Sequence, residues 1–170
     1  MRNYTIPKQA RLKGALKDAI EVLKPFGGTK MSKNAFKEAL RPILERWGIT
    51  LGELAHTLED KGYIRLRQKS VAILNMDPMA EIRGAFHAIA IASQCSPFTW
   101  DDLEYWAKGR TSKDVLQQVV RELVRIGWLI EKGGKLYATV SPRKIADGAN
   151  SKGKNFEVNA CSKEGVLAYA

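Results

Sequence analysis

Apolar residues recur at intervals of three and four along much of this chain, the spacing that lines one face of a helix. Leu12, Ala15, Leu16, Ala19, Ile20 and Leu23 predict a helix over residues 9–24, stopped by Pro25 and Gly27-Gly28. Phe36, Ala39, Leu40, Ile43 and Leu44 predict a second helix with Ser32 as its N-cap; Pro42 inside it is expected to bend it. Thr50 caps a third. Pro78 precedes a helix over residues 79–94, and Thr99 caps a short helix with Asp101 and Asp102 in its first turn, where the helix dipole favours acid. Ser112 then caps a long helix that runs to Ile126.

Part of this pattern occurs twice. Leu58, Gly62, Tyr63, Ile64 and Val71 match Leu123, Gly127, Trp128, Leu129 and Leu136, each pair 65 residues apart. In both copies an amphipathic helix ends at a glycine, which can take the left-handed conformation that closes a helix. An aromatic and an aliphatic residue open a short strand, a polar tip follows, and a second apolar strand returns. The tips are Arg67-Gln68-Lys69 and Lys132-Gly133-Gly134-Lys135, and Gly-Gly suits a two-residue hairpin turn.

Three helices and a hairpin in each half: over residues 9–140 the chain resembles the winged-helix superfamily, two units in tandem. The resemblance implies a mainly α fold with small β-hairpins (α+β). A first, basic unit would cover residues 1–77, a second residues 78–140, and a polar, flexible tail residues 141–170. It also implies that the third helix of a unit enters the major groove while the wing tip meets the backbone. The alternative is a general helical bundle with two incidental hairpins.

Charge sharpens this picture. Lys plus Arg number 28 against 18 Asp plus Glu, a net +10, which favours a polyanionic partner. Residues 1–47 hold eleven basic and four acidic side chains, so +7 of the excess lies in this segment, which includes the first two helices. A membrane is the weaker choice, because the longest apolar run, residues 85–92, is short and interrupted by His87. No signal peptide is expected after Met1-Arg2-Asn3-Tyr4, and two cysteines, Cys95 and Cys161, do not make a disulfide scaffold; a cytoplasmic location is the expectation.

In the second unit Val115, Leu116, Val119, Val120, Leu123 and Ile126 share one face of the third helix, with Lys113, Gln117, Gln118, Arg121 and Arg125 on or beside the other. Gln can pair with adenine and Arg with guanine through two hydrogen bonds each. Ser112 and the helix N-terminus are candidates for a phosphate, Arg110 precedes them, and Lys132 and Lys135 flank the wing. Asp114 and Glu122 on the same face count against contact, and a merely solvated helix would look similar. The third helix of the first unit carries Glu53, His56, Glu59 and Asp60, so residues 50–61 suit a protein partner better than phosphate. The cations of that unit lie elsewhere: Lys33, Lys37 and Arg41 on the second helix, Lys13, Lys17 and Lys24 on the first, and Arg65, Arg67 and Lys69 on the wing. Arg143-Lys144 in the tail is a further candidate for a groove.

Catalytic patterns are missing from the sequence. His56 sits among acids, and His87 reads as a core or cap residue. No Cys-His cluster has metal-ligand spacing, and Gly27-Gly28-Thr29-Lys30 lacks the pattern of a phosphate loop. Asp101, Asp102 and Glu104 read as a helix start before a metal site; Trp47, Trp100, Trp106 and Trp128 read as core. The expectation is a non-enzymatic protein without cofactor or metal that binds double-stranded DNA, as a transcriptional regulator or an accessory of plasmid or phage replication or partition, and that can form a homodimer. The alternative is a protein-interaction module built on tandem winged helices. Binding of RNA or single strands ranks lower, since it wants exposed aromatics and only Tyr4, Tyr63 and Tyr105 qualify.

Overall fold

A computed structural model of the chain describes residues 6–151. It is mainly helical with two small antiparallel sheets, an α+β class. The first half runs α1 (Lys8–Leu23), a short 3-10 turn (Lys24–Phe26), β1 (Lys30–Ser32), α2 (Lys33–Trp47), α3 (Leu51–Asp60), β2 (Ile64–Leu66) and β3 (Ser70–Ile73). The second runs α4 (Pro78–Ser93), α5 (Trp100–Ala107), α6 (Lys113–Arg125), β4 (Leu129–Lys132), β5 (Lys135–Ala138) and α7 (Pro142–Ser151).

Helices α2, α3, α5 and α6 begin where short polar side chains satisfy free backbone N–H groups. Ser32 Oγ accepts from Ala35 N at 3.1 Å. Thr50 with Glu53, and Thr99 with Asp102, form reciprocal capping boxes. α2 runs on past the exposed Pro42 and closes at Gly48, whose φ of 62° is left-handed. There Arg11 Nη1 donates to Gly48 O at 2.8 Å and Trp47 O at 3.2 Å, setting a cation on the carbonyl end of the helix.

The 65-residue offset recurs as backbone hydrogen bonds. Tyr63 N donates to Leu58 O and Trp128 N to Leu123 O, each at 2.9 Å; Leu74 N donates to Tyr63 O and Thr139 N to Trp128 O, again at 2.9 Å. A feature with no expectation behind it accompanies this repeat. β1 lies antiparallel to β3 with Met31 opposite Val71, giving a sheet of order β1-β3-β2. In the second half Phe98 makes an isolated bridge to Leu136 in the matching place. Each half is therefore a helix, an extended segment, two helices and a hairpin, with the extended segment paired to the last strand.

Two hydrophobic cores follow, one from Ala15 to Ile73 and one from Ile82 to Ala149. The second reaches beyond the expected end of its unit at residue 140. α7 packs on α4 with Ile145 and Ala149 buried, so the reading of residues 141–170 as a flexible tail is corrected for 142–151. Polar neighbours disguised an apolar i, i+4 pair. The remainder of that expectation falls outside the described residues. Two smaller readings also change. The four tryptophans are only partly buried and pack against the outside of the two cores. His87 is exposed, on the side of α4 away from the core.

The halves meet along a seam. Gly109 N donates to Gly62 O at 3.1 Å and Lys113 N to Lys61 O at 3.0 Å, so the turn after α3 is stitched to the segment between α5 and α6. Gly62 has φ of 88°, and a Cβ on it would overlap the Thr111 carbonyl oxygen. Glycine here answers both the turn and the close approach.

Candidate nucleic-acid interface

The amphipathic pattern of α6 separates its two faces cleanly. Val115, Leu116, Val119, Val120 and Leu123 are buried, while Gln117 and Arg121 are exposed one turn apart with Gln118 beside them. These three carry polar side chains able to read base edges. The flanking candidates are differently placed. Lys113 is partly exposed, with Nζ 3.6 Å from Glu104. Arg125 is joined to Glu122, which holds its guanidinium above the usual arginine range.

Ser112 is not available to a phosphate. It is 2% exposed, at the seam between the halves. Its N–H donates to Glu81 Oε1 at 3.3 Å, and its Oγ accepts from Val115 N at 3.5 Å. The N-terminus of α6 thus already faces a carboxylate supplied by α4. Burial raises the Glu81 carboxyl from its ordinary 4.5 to about 7, against the lowering effect of the Ser112 hydrogen bonds; Asp114 and Asp77 raise it further. The expectation that Ser112 holds phosphate is corrected: the anion-binding end of this helix is closed by the protein itself.

The tip of the second hairpin is Gly133-Gly134, with φ of 61° and 76°, as a turn with two left-handed residues requires. Lys132 and Lys135 lie directly opposite one another across it, both exposed. Like charges in that register repel, and a polyanion against the tip relieves the repulsion.

On the first half, Lys33 and Lys37 are exposed along α2; Arg41 is exposed but donates to Glu38. Lys13, Lys17 and Lys24 are exposed along α1 and its end. Two of the three acidic residues of α3, Glu53 and Glu59, have internal duties. Glu53 closes the capping box and pairs with Lys8, and that pairing, with the Thr50 hydrogen bonds, lowers its pKa to about 2. Glu59 accepts from Leu66 N at 2.8 Å and lies 3.8 Å from Lys108 Nζ. Of Glu53, His56, Glu59 and Asp60, His56 and Asp60 are exposed and the two glutamates are half-buried, so less of the acidic face of residues 50–61 is free for a protein partner than the sequence suggests.

The first hairpin, β2–β3, meets the second half. Arg65 Nη1 donates to the carbonyls of Tyr105 at 3.0 Å and Lys108 at 3.5 Å, with the guanidinium 4.8 Å above the Tyr105 ring. Arg67 and Arg110 are exposed in the same region, and Lys69 is exposed at the tip of the first hairpin. The sequence had separated Arg65 and Arg67 from Arg110; the fold brings them to one cleft with Lys108, a residue sequence reasoning missed. The signal for Lys108 was its place in Lys108-Gly109-Arg110, a glycine break between two helices flanked by cations.

Among the described residues no group of three or more His, Cys, Asp or Glu side chains could hold a metal ion, and no helix is long and apolar enough to cross a membrane. Asp102 belongs to its capping box and Glu104 to Lys113. Comparison with protein-family models, with curated proteins and with solved structures finds no match.

Proposed function

We propose that this chain is a non-enzymatic tandem winged-helix protein that binds double-stranded DNA. The observation that carries the reading is α6: a helix buried on one side, presenting Gln117, Gln118 and Arg121 on the other, beside a hairpin tipped by Lys132 and Lys135. Arg and Gln are the side chains that pair with guanine and adenine through two hydrogen bonds, and lysines at a wing suit backbone phosphate. The twofold recurrence of an extended segment, two helices and a hairpin supports the winged-helix assignment. The first half contributes exposed cations rather than base readers, because α3 presents no cation and uses Glu53 and Glu59 internally. We assign it backbone contact through Lys33 and Lys37.

The test is fluorescence anisotropy with random-sequence duplex across a salt series. Each neutralised phosphate contributes about 0.9 to the slope of log affinity against log salt. Charge reversal of Lys33, Lys37 and Arg41 is expected to lower the slope and weaken all duplexes alike. Gln117→Glu with Arg121→Glu is expected to remove preference among sequences. No binding by the native protein at low salt refutes the reading. A protein-docking role then takes precedence, with Ile130 (50% exposed) and Tyr137 (38% exposed), paired across β4–β5, as its apolar anchor.

A further inference from the structure

Between the first hairpin and the α5–α6 segment lies a cleft of about 420 Å³. Arg65 and Arg67 form one wall; Trp106, Lys108, Gly109 and Arg110 form the other. Arg65 and Arg67 are two residues apart on an extended segment and so project to the same side. Four cations line the cleft and no carboxylate does.

Each cation is held or free in a way that suits an incoming anion. Arg65 is anchored through Nη1 to the Tyr105 and Lys108 carbonyls and lies over the Tyr105 ring, which fixes its plane while leaving other N–H donors open. Lys108 is steadied at 3.8 Å from Glu59, itself engaged with the wing backbone. Neither Arg67 nor Arg110 forms an ion pair with any described residue. Loss of solvent lowers the Arg110 pKa, and the nearby charges of Arg65 and Arg67 lower it further. Gly109, at φ of 77°, lets the chain pass close to Arg65, where a Cβ would stand 3.1 Å from the Arg65 Cβ.

We propose that this cleft is a phosphate-binding site built jointly by the two halves. Guanidinium forks and an ammonium lining one cleft offer more donors than the two oxygens of a carboxylate can use, and suit the oxygens of a phosphate. The ligand chemistry is a phosphate group, carried either by a nucleic-acid backbone or by a free phosphate or polyphosphate. The backbone source rests on the reading of the protein as a DNA binder. In that case the phosphate fastens both halves at once, and the units grip one duplex as a single body.

The test uses the full chain and the double variant Arg67→Ala with Arg110→Ala, with circular dichroism and a thermal melt to confirm folding. Inorganic pyrophosphate is titrated and followed by NMR at the Gly109 and Arg110 amides and the arginine Nε–H groups. Duplex binding is measured in parallel across salt. We expect pyrophosphate to shift these signals in the native protein and not in the variant. The duplex salt slope is expected to fall by about 0.9 in the variant, with affinity lowered roughly tenfold. Pyrophosphate shifts with an unchanged duplex slope support a free phosphate as the ligand. A lowered slope without pyrophosphate shifts supports the backbone. Failure of the native protein to bind duplex refutes the DNA reading while the pyrophosphate arm still judges the cleft. Absence of both effects overturns the proposal. Arg67→Lys with Arg110→Lys serves as a second variant; it keeps the charge and loses the forks, so restored slope with weakened pyrophosphate binding supports fork recognition.

Discussion

Glu81 makes folding depend on pH in a direction opposite to that of most carboxylates. Its side chain is 3% exposed on the first turn of α4, against the start of α6. The positive end of α6 favours the ionised form by up to about 2 kcal/mol. Burial opposes it and wins, since the carboxyl stands at about 7 in the folded chain against 4.5 unfolded. That difference corresponds to about 3 kcal/mol in favour of the protonated form. Below pH 4.5 the group is protonated in both states. Between 4.5 and 7 the unfolded chain releases the proton and the folded chain keeps it, so stability falls as pH rises; above 7 the loss is complete. Glu81→Gln keeps an oxygen to accept from Ser112 N and carries no charge. Urea unfolding at pH 8 should find the variant more stable by about 3 kcal/mol, with a melting temperature roughly 6–12 °C higher. Near pH 4.5 the two proteins should agree. A variant whose stability follows the native pH dependence, or that is weaker at pH 8, refutes the argument. Glu53 acts in a separate window: its lowered pKa, from the contact with Lys8, adds stability that is fully present above pH 4.5 and lost as pH falls toward 2.

Glycine substitutions separate packing from propensity. In α3, Gly52 has open space around it, so Gly52→Ala should stabilise by about 1 kcal/mol in a denaturant titration. In α4, the same change at Gly84 would drive a Cβ into the Arg110 carbonyl at the seam, so Gly84→Ala should destabilise by about 1–3 kcal/mol despite its better helix propensity. Ile145 is 0% exposed, so Ile145→Ala should lower stability by about 2–5 kcal/mol; an unchanged urea midpoint would mean that α7 does not belong to the core.

The helices and their caps were legible because their causes are local. Ser32, Thr50 and Thr99 accept from N–H groups three residues on, and apolar spacing marks the buried faces without reference to the rest of the chain. The same holds for Gly62 and Gly127, whose left-handed turns follow from the end of a helix. α7 escaped because its burial depends on α4: Ile145 and Ala149 look sparse among Arg143, Lys144, Asp147 and Asn150 until a partner helix covers them. Ser112 was recognised as a cap and misjudged as a phosphate ligand, since Glu81 arrives from 31 residues away.

By itself, then, the sequence determined helices α1 to α6, the two hairpins and the 65-residue repeat, all governed by hydrogen bonds and side-chain spacing within a few residues. Tertiary structure decided which polar groups remain free. It spent Glu53, Glu59, Glu81 and Ser112 on internal contacts and gathered Arg65, Arg67, Lys108 and Arg110 at one cleft. Charge acts through space and solvent, so the partners of a cation are set by what the fold brings near it, which no local pattern encodes.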